Sequence, residues 1–228
     1  MSTICIIPAR SGSKGIKDKN IQKLNNKSLI EIAVGQANQC PSIDDVYIST
    51  DSDIYEEIAL KSGAKSIGLR PEKLSGDEVK TSDVIIDFIE KLNRKINLIV
   101  VLQPTSPIRQ ISDIEICIKK CKNKQVDSCV SVSKLEEPHP FKLKQITSKG
   151  YLEPLIEGTS SEIPRQLLPE VYALNGAIYV VKSNIILKNR RLITEKTIPH
   201  IMSHNYNIDH IQDLERIRFL LKSRKLTL

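Results

Sequence analysis

Apolar residues in this chain follow two rhythms. Short unbroken apolar runs recur, and between them apolar residues return every three or four positions. The first rhythm suits strands buried on both faces, the second helices with one buried side. Ile4–Ala9, Asp45–Ser49, Ala64–Leu69, Ile96–Leu102 and Ser128–Ser133 are predicted strands. Ser28–Gln39, Ser52–Ser62, Thr81–Arg94 and Asp113–Lys122 are predicted helices. In the third helix Val84, Ile85, Phe88, Ile89 and Leu92 fall on one face. Strands alternating with helices predict an α/β fold, an open, mainly parallel, doubly wound sheet with right-handed crossovers.

The rhythm fails between about 138 and 169. Prolines 138, 140, 154, 164 and 169, with short runs such as Tyr151–Ile156, predict a small hairpin or arm insertion. Gly176–Val181 then predicts a returning strand, and Ile208–Leu221 a closing amphipathic helix. With no repeats or linkers, residues 1–228 are expected to form a single domain. The chain has 228 residues, enough for a self-sufficient core.

Composition narrows the class. Hydrophobic residues make up 40% and charged residues 27%, as in soluble globular proteins. No apolar run approaches the roughly 20 residues of a spanning helix, so no membrane role is expected. No cleavable leader is recognisable, so a cytoplasmic location is expected. The five cysteines show no disulfide framework, and Cys117 and Cys121, four apart on a predicted helix, read as core thiols. A net charge of +7 raises the possibility of nucleic-acid binding. Aromatic residues at 4% and the lack of tryptophan argue against base-stacking platforms, so no nucleic-acid partner is expected.

Candidate chemistry starts directly after the first strand. The loop carries Arg10, Gly12, Lys14, Gly15, Lys17, Lys19 and Asn20. Glycines let backbone approach a ligand closely, and cations with backbone N–H groups suit a polyphosphate. In an open α/β sheet this is the ligand-binding edge. Ser49–Asp51 and Gln103–Arg109 also follow predicted strands and should gather there. Neither the Walker nor the dinucleotide glycine pattern is present. From charge alone, a solvated lysine-rich loop remains the alternative.

The wording of the loop, Ile6-Ile7-Pro8-Ala9-Arg10-Ser11-Gly12-Ser13-Lys14-Gly15-Ile16-Lys17-Asp18-Lys19-Asn20, closely resembles the opening signature of CMP-sialic acid synthetases. Leu102-Gln103-Pro104-Thr105-Ser106-Pro107-Ile108-Arg109 is similar to a second motif of that family. Pro164-Arg165-Gln166 with Leu174–Tyr179 is similar to its sugar-side segment, and Asn207-Ile208-Asp209 to its acidic metal segment. The resemblance spans nearly the whole chain. It implies a nucleotide-diphospho-sugar transferase-like sheet and a cytidylyltransferase that joins CTP to the anomeric hydroxyl of an acidic nine-carbon sugar. N-acetylneuraminate is the first expectation, legionaminate, pseudaminate or the eight-carbon Kdo the alternatives; the full form of the loop argues against Kdo. A surface-glycan role and a homodimer contacting through the arm at about 138–169 are implied as well.

Residue by residue, the resemblance implies phosphate contacts from Arg10, Lys14, Lys19 and Asn20, with Arg10, Lys14 and Lys19 stabilising the transition state. It implies base recognition by Arg70 with Thr81 beside it, although Arg70 before Pro71 also reads as an ordinary turn arginine. Gln103, Arg165, Asn175 and Tyr179 are the implied sugar side, Tyr179 being equally a core aromatic. Asp209 is the implied Mg²⁺ ligand. The family's usual Asp-x-Asp is here Asn207-x-Asp209, which removes one negative charge from the site. Asp209 can also be read as a helix cap. That substitution and the basic balance keep open a non-catalytic nucleotide- or RNA-binding module.

Overall fold

A computed structural model describes residues 2–228. Its elements, in chain order, are β1 (Thr3–Pro8), β2 (Lys23–Leu24), β3 (Lys27–Ser28), α1 (Leu29–Asn38), β4 (Asp45–Ser49), α2 (Asp53–Lys61) and α3 (Thr81–Leu92). There follow β5 (Leu98–Val101), α4 (Ile111–Cys121), β6 (Ser128–Lys134), β7 (Lys144–Ile146), β8 (Leu152–Pro154) and β9 (Tyr172–Lys182). The last elements are α5 (Ser183–Asn189), β10 (Thr197–Met202) and α6 (Ile211–Lys222). The six-stranded sheet has the order β10-β6-β9-β5-β1-β4. It is mostly parallel; β9 alone runs antiparallel, between β6 and β5.

Alternation in the strands builds a core on each face. From β1, Cys5 and Ile7 point to α1, α2 and α4, and pack with Ala33, Tyr55, Ile114 and Cys117. Ile4 and Ile6 point the other way, to Ile85, Phe88 and Ile89 of α3 and Ile186 of α5. A third cluster seats α6, through Leu214, Ile217 and Leu221, on Leu29 and Ile32 of α1 and on Ile16 of the first loop. The loop is thereby anchored to the closing helix. All five cysteines are buried and free.

Local chemistry explains the boundaries. Ser28 caps α1: its Oγ accepts from the Glu31 amide at 3.2 Å, and Glu31 returns the bond to the Ser28 amide at 2.6 Å. These bonds hold the Glu31 carboxyl below the usual carboxylate range.

Four expectations are corrected. Ala64–Leu69 is not a strand; it makes one parallel bridge, Lys65 to Tyr47. β4 is the sheet edge, and Gly68, at φ +94°, turns the chain away toward Arg70. β10 and α5 carry no element in the sequence reading. Pro199 hides β10, and its position on an edge strand is where a proline is tolerated. The returning strand extends back from Gly176 to Tyr172. The closing helix begins at Ile211, not Ile208, and is capped by His210 and Asp213, so Asp209 is not its cap.

Candidate active site

The β1 loop is held by its own side chains. Asn20 is buried, and its amide donates to the Arg10 carbonyl at 3.0 Å. Asp51, at the end of β4, accepts from the Ser11 amide at 2.8 Å and from its hydroxyl at 3.0 Å. At Gly15 a Cβ would lie 2.5 Å from the carbonyl oxygen of Asp209. This glycine is required by protein backbone, whereas Gly12 faces open space.

The strand ends enclose a cavity of about 620 Å³. Arg10, Lys14, Lys19, Asn20, Arg70, Thr81, Gln103, Asn207 and Asp209 all line it. The structure thus brings together nine residues assigned from sequence, drawn from segments up to 199 positions apart. Arg70 is buried in the cavity wall, and its Nε and one Nη have no protein partner. Burial lowers its pKa. A buried fork with open donors is suited to a ligand with paired acceptors, such as a cytosine edge.

Asp77 is a lining residue that sequence reasoning missed. Its carboxylate lies 2.5 Å from Arg10 and 2.6 Å from Lys14, and those two cations hold it below the usual carboxylate range. A triphosphate binding to these cations must break that bridge. A lone aspartate in Ser75-Gly76-Asp77 carried no signal beyond a turn.

Opposite, Lys19 Nζ lies 3.3 Å from Asp209 Oδ1. Asn207 Nδ2 donates to Asp209 Oδ2 at 2.6 Å, and its Oδ1 accepts from the Ser106 hydroxyl at 3.1 Å. Among the described residues no cluster of three or more histidine, cysteine or acidic side chains forms a metal site. The donor set nevertheless fits Mg²⁺ that is also bound by substrate phosphates: Asp209 supplies one hard anionic oxygen at the cavity wall.

A second cavity, of about 710 Å³, shares Thr81 and Gln103 with the first. Tyr179 lines it beside Leu174, Leu192 and Ile193. The same ring also packs on the α3–α5 core, as the core reading of Tyr179 expects. Two sugar-side residues fall elsewhere. Asn175 is buried, and its amide bonds Ser131, Ser133, the Ala177 amide and Met202 Sδ. Its polar atoms are consumed inside the fold. Arg165 sits on the arm, exposed, 2.7 Å from Glu137 and in neither cavity.

Comparison with known proteins now bears on this geometry. The cytidylyltransferase family profile matches residues 4–225. The chain belongs to the cytidylyltransferase family. It is 34% identical over 211 residues to an N-acylneuraminate cytidylyltransferase of Streptococcus agalactiae, covering 92% of this chain and 50% of that one. The chain thus spans about half the length of its streptococcal relatives. It is 32% identical to a CMP-N,N'-diacetyllegionaminic acid synthase of Legionella pneumophila, with 89% and 88% covered. The resemblance read from the motifs, to CMP-sialic acid synthetases, is therefore upheld. A CMP:2-keto-3-deoxy-manno-octonic acid synthetase complexed with CTP has the same fold: TM-score 0.75 at 16% identity, over 98% of this chain and 100% of that one.

Proposed function

We propose that this cytidylyltransferase transfers CMP from CTP to the anomeric hydroxyl of a nonulosonic acid, with N-acylneuraminate the first candidate, and releases pyrophosphate. The observation that carries the reading is the 620 Å³ cavity, lined by the cations Arg10, Lys14 and Lys19 and by the open-donor Arg70. Arg10, Lys14 and Lys19 bind the triphosphate and stabilise charge as it develops on the α-phosphate and the leaving pyrophosphate. Arg70 orients the base, with Thr81 beside it. The sugar, held near Gln103 and Tyr179 in the adjoining cavity, presents its hydroxyl oxygen to the α-phosphorus. The new oxygen–phosphorus bond replaces the bond to the β-phosphate oxygen, and the hydroxyl loses its proton. Positioning and electrostatics suffice for such a transfer.

Mg²⁺ is the proposed cofactor, held by Asp209 together with the phosphates. It would neutralise phosphate charge. Asn207 stands in the first position of the family's Asp-x-Asp, where an amide oxygen is the weaker donor.

The arm is proposed to join two copies of the chain. Ile146, Tyr151, Leu152 and Leu167, each more than 70% exposed, form its apolar surface. Pairing also gives Arg165 access to a sugar cavity, that of the other copy. A nucleoside triphosphate substrate favours a cytoplasmic location. Among the described residues no helix is long and apolar enough to cross a membrane.

A substrate panel tests the reading: CTP with each of N-acetylneuraminate, legionaminate, pseudaminate and Kdo, then each nucleoside triphosphate with the best sugar. Pyrophosphate release requiring both CTP and a nonulosonic acid is expected. RNA binding with steep salt dependence and no turnover would establish the binding-module alternative instead. Equal rates with CTP and UTP would remove Arg70 from base recognition.

A further inference from the structure

Arg109 closes the second motif, and nothing above uses it. It is 3% exposed and forms no ion pair among the described residues. Its two terminal nitrogens donate to backbone carbonyls instead, Nη1 to Ala177 at 2.5 Å and Nη2 to Gln103 at 2.6 Å. A buried cation without a counter-ion is costly, so its geometry should matter. Only a planar guanidinium spans two fixed acceptors with parallel donors; lysine offers a single point. The acceptors are informative. Gln103 is the one residue with Thr81 that faces both cavities. Ala177 follows Gly176, whose φ is +71° and where a Cβ would stand 2.7 Å from Gln103 Oε1. The Gln103 backbone is therefore pinned from one side, and its side-chain amide rests on a glycine made bare on the other.

We propose that Arg109 is a positioning residue for Gln103: its guanidinium ties the Gln103 carbonyl to that of Ala177, while Gly176 leaves the seat in which the Gln103 amide is aimed at the acidic sugar. This deepens the reading of Gln103 as a sugar-side residue and rests on it. Ser106 extends the same brace, its hydroxyl within 3.1 Å of both the Asn175 carbonyl and Asn207 Oδ1.

Steady-state kinetics for both substrates, on Gln103→Ala, Arg109→Lys, Gly176→Ala and the Gln103→Ala/Arg109→Lys double variant, tests the proposal. Gln103→Ala is expected to raise the sugar KM about tenfold, the worth of one good hydrogen bond, with the CTP KM nearly unchanged. Arg109→Lys and Gly176→Ala should reproduce that split. The double variant should be no worse than Gln103→Ala alone, because the two act through one group. A structural arginine would instead lower the melting temperature and shift both KM values together, or add its effect in full to that of Gln103→Ala; either result overturns the proposal. A sugar KM raised by Gln103→Ala but untouched by Arg109→Lys overturns the inference alone. A silent Gln103→Ala removes the sugar-side role of Gln103, and the inference with it. If Arg109→Lys does not fold, Gly176→Ala decides: an unchanged sugar KM there refutes the seat.

Discussion

The loop behind β1 and the arm at residues 138–169 are held in opposite ways. The loop is fixed from inside: by Asn20 on the Arg10 carbonyl, by Asp51 on Ser11, and by Gly15 under the Asp209 carbonyl. The arm is held by its own β7–β8 ladder, by the Phe141 amide on His139 Nδ1, by His139 Nε2 against the Pro169 carbonyl at 3.0 Å and by exposed pairs such as Arg165–Glu137, while its large apolar side chains stand in solvent. A preorganised cation set lowers the reorganisation needed during phosphoryl transfer, so rigidity in the loop serves chemistry. An arm that leaves large apolar side chains in solvent is better suited to covering them with a second molecule.

The comparison breaks first at Arg10. Arg10→Ala should lose about 30- to 1000-fold in kcat/KM, corresponding to about 2–4 kcal/mol of transition-state stabilisation. Its melting temperature should hold, since among the described residues the Arg10 side chain pairs only with the partly exposed Asp77. Near-normal kinetics would take Arg10 out of the mechanism.

Next comes the metal side of the rigid half. Asp209→Asn should sharply raise the Mg²⁺ concentration needed for turnover, because it leaves two amides and no carboxylate. Asn207→Asp should lower that requirement. With the helix capped by His210 and Asp213, thermal stability should be little changed in Asp209→Asn. Unchanged Mg²⁺ titrations in both variants would assign the metal to CTP and other groups.

The arm gives the third test. Arg165→Ala should raise the sugar KM about tenfold, as expected for losing a charge-assisted contact, with the CTP KM little affected. If the arm serves the other copy, an equal mixture of Arg10→Ala and Arg165→Ala proteins, reassociated and assayed at sugar well below KM, should show about a quarter of wild-type activity from random pairing in a twofold dimer. No recovery, with a monomer in light scattering, would leave the arm without its proposed role.

The smallest effect is expected at Asp77. Asp77→Asn should lower the CTP KM about two- to fivefold, since a partly exposed pair worth about 0.2–1 kcal/mol no longer competes with the triphosphate. A raised KM would show that Asp77 aligns the cations rather than competing for them.

The contrast also explains what could be read from residues alone. Short unbroken apolar runs and period-3.6 patterns place β1, β4, β5, β6 and α1–α4 because each buries a continuous apolar set. Ala64–Leu69 carries the composition of a strand, yet it pairs with β4 at Lys65 alone before Gly68 turns the chain away; β10 pairs along its length and has a composition masked by Pro199. Pairing is tertiary, and no local pattern encodes it. Nine site residues converge because strand ends share one edge of the sheet. Asn175 shows the limit of motif resemblance: the type and position match, while its hydrogen bonds all turn inward. Arg109 shows the reverse, a motif residue whose contacts had no signal in sequence because both partners are backbone.

The close approach of Gly15 to Asp209 has a temporal meaning for a chain made from its N-terminus. The phosphate loop is made long before the carbonyl it leans on, since Asp209 follows Gly15 by 194 residues, and α6, which completes the cluster around Ile16, comes later still. A nascent chain can pair β1 with β4 and β5 long before those partners exist. Its nucleotide pocket is completed only once Asp209 has been made, so a product terminated before that residue would carry the family's signature loop without a finished site behind it.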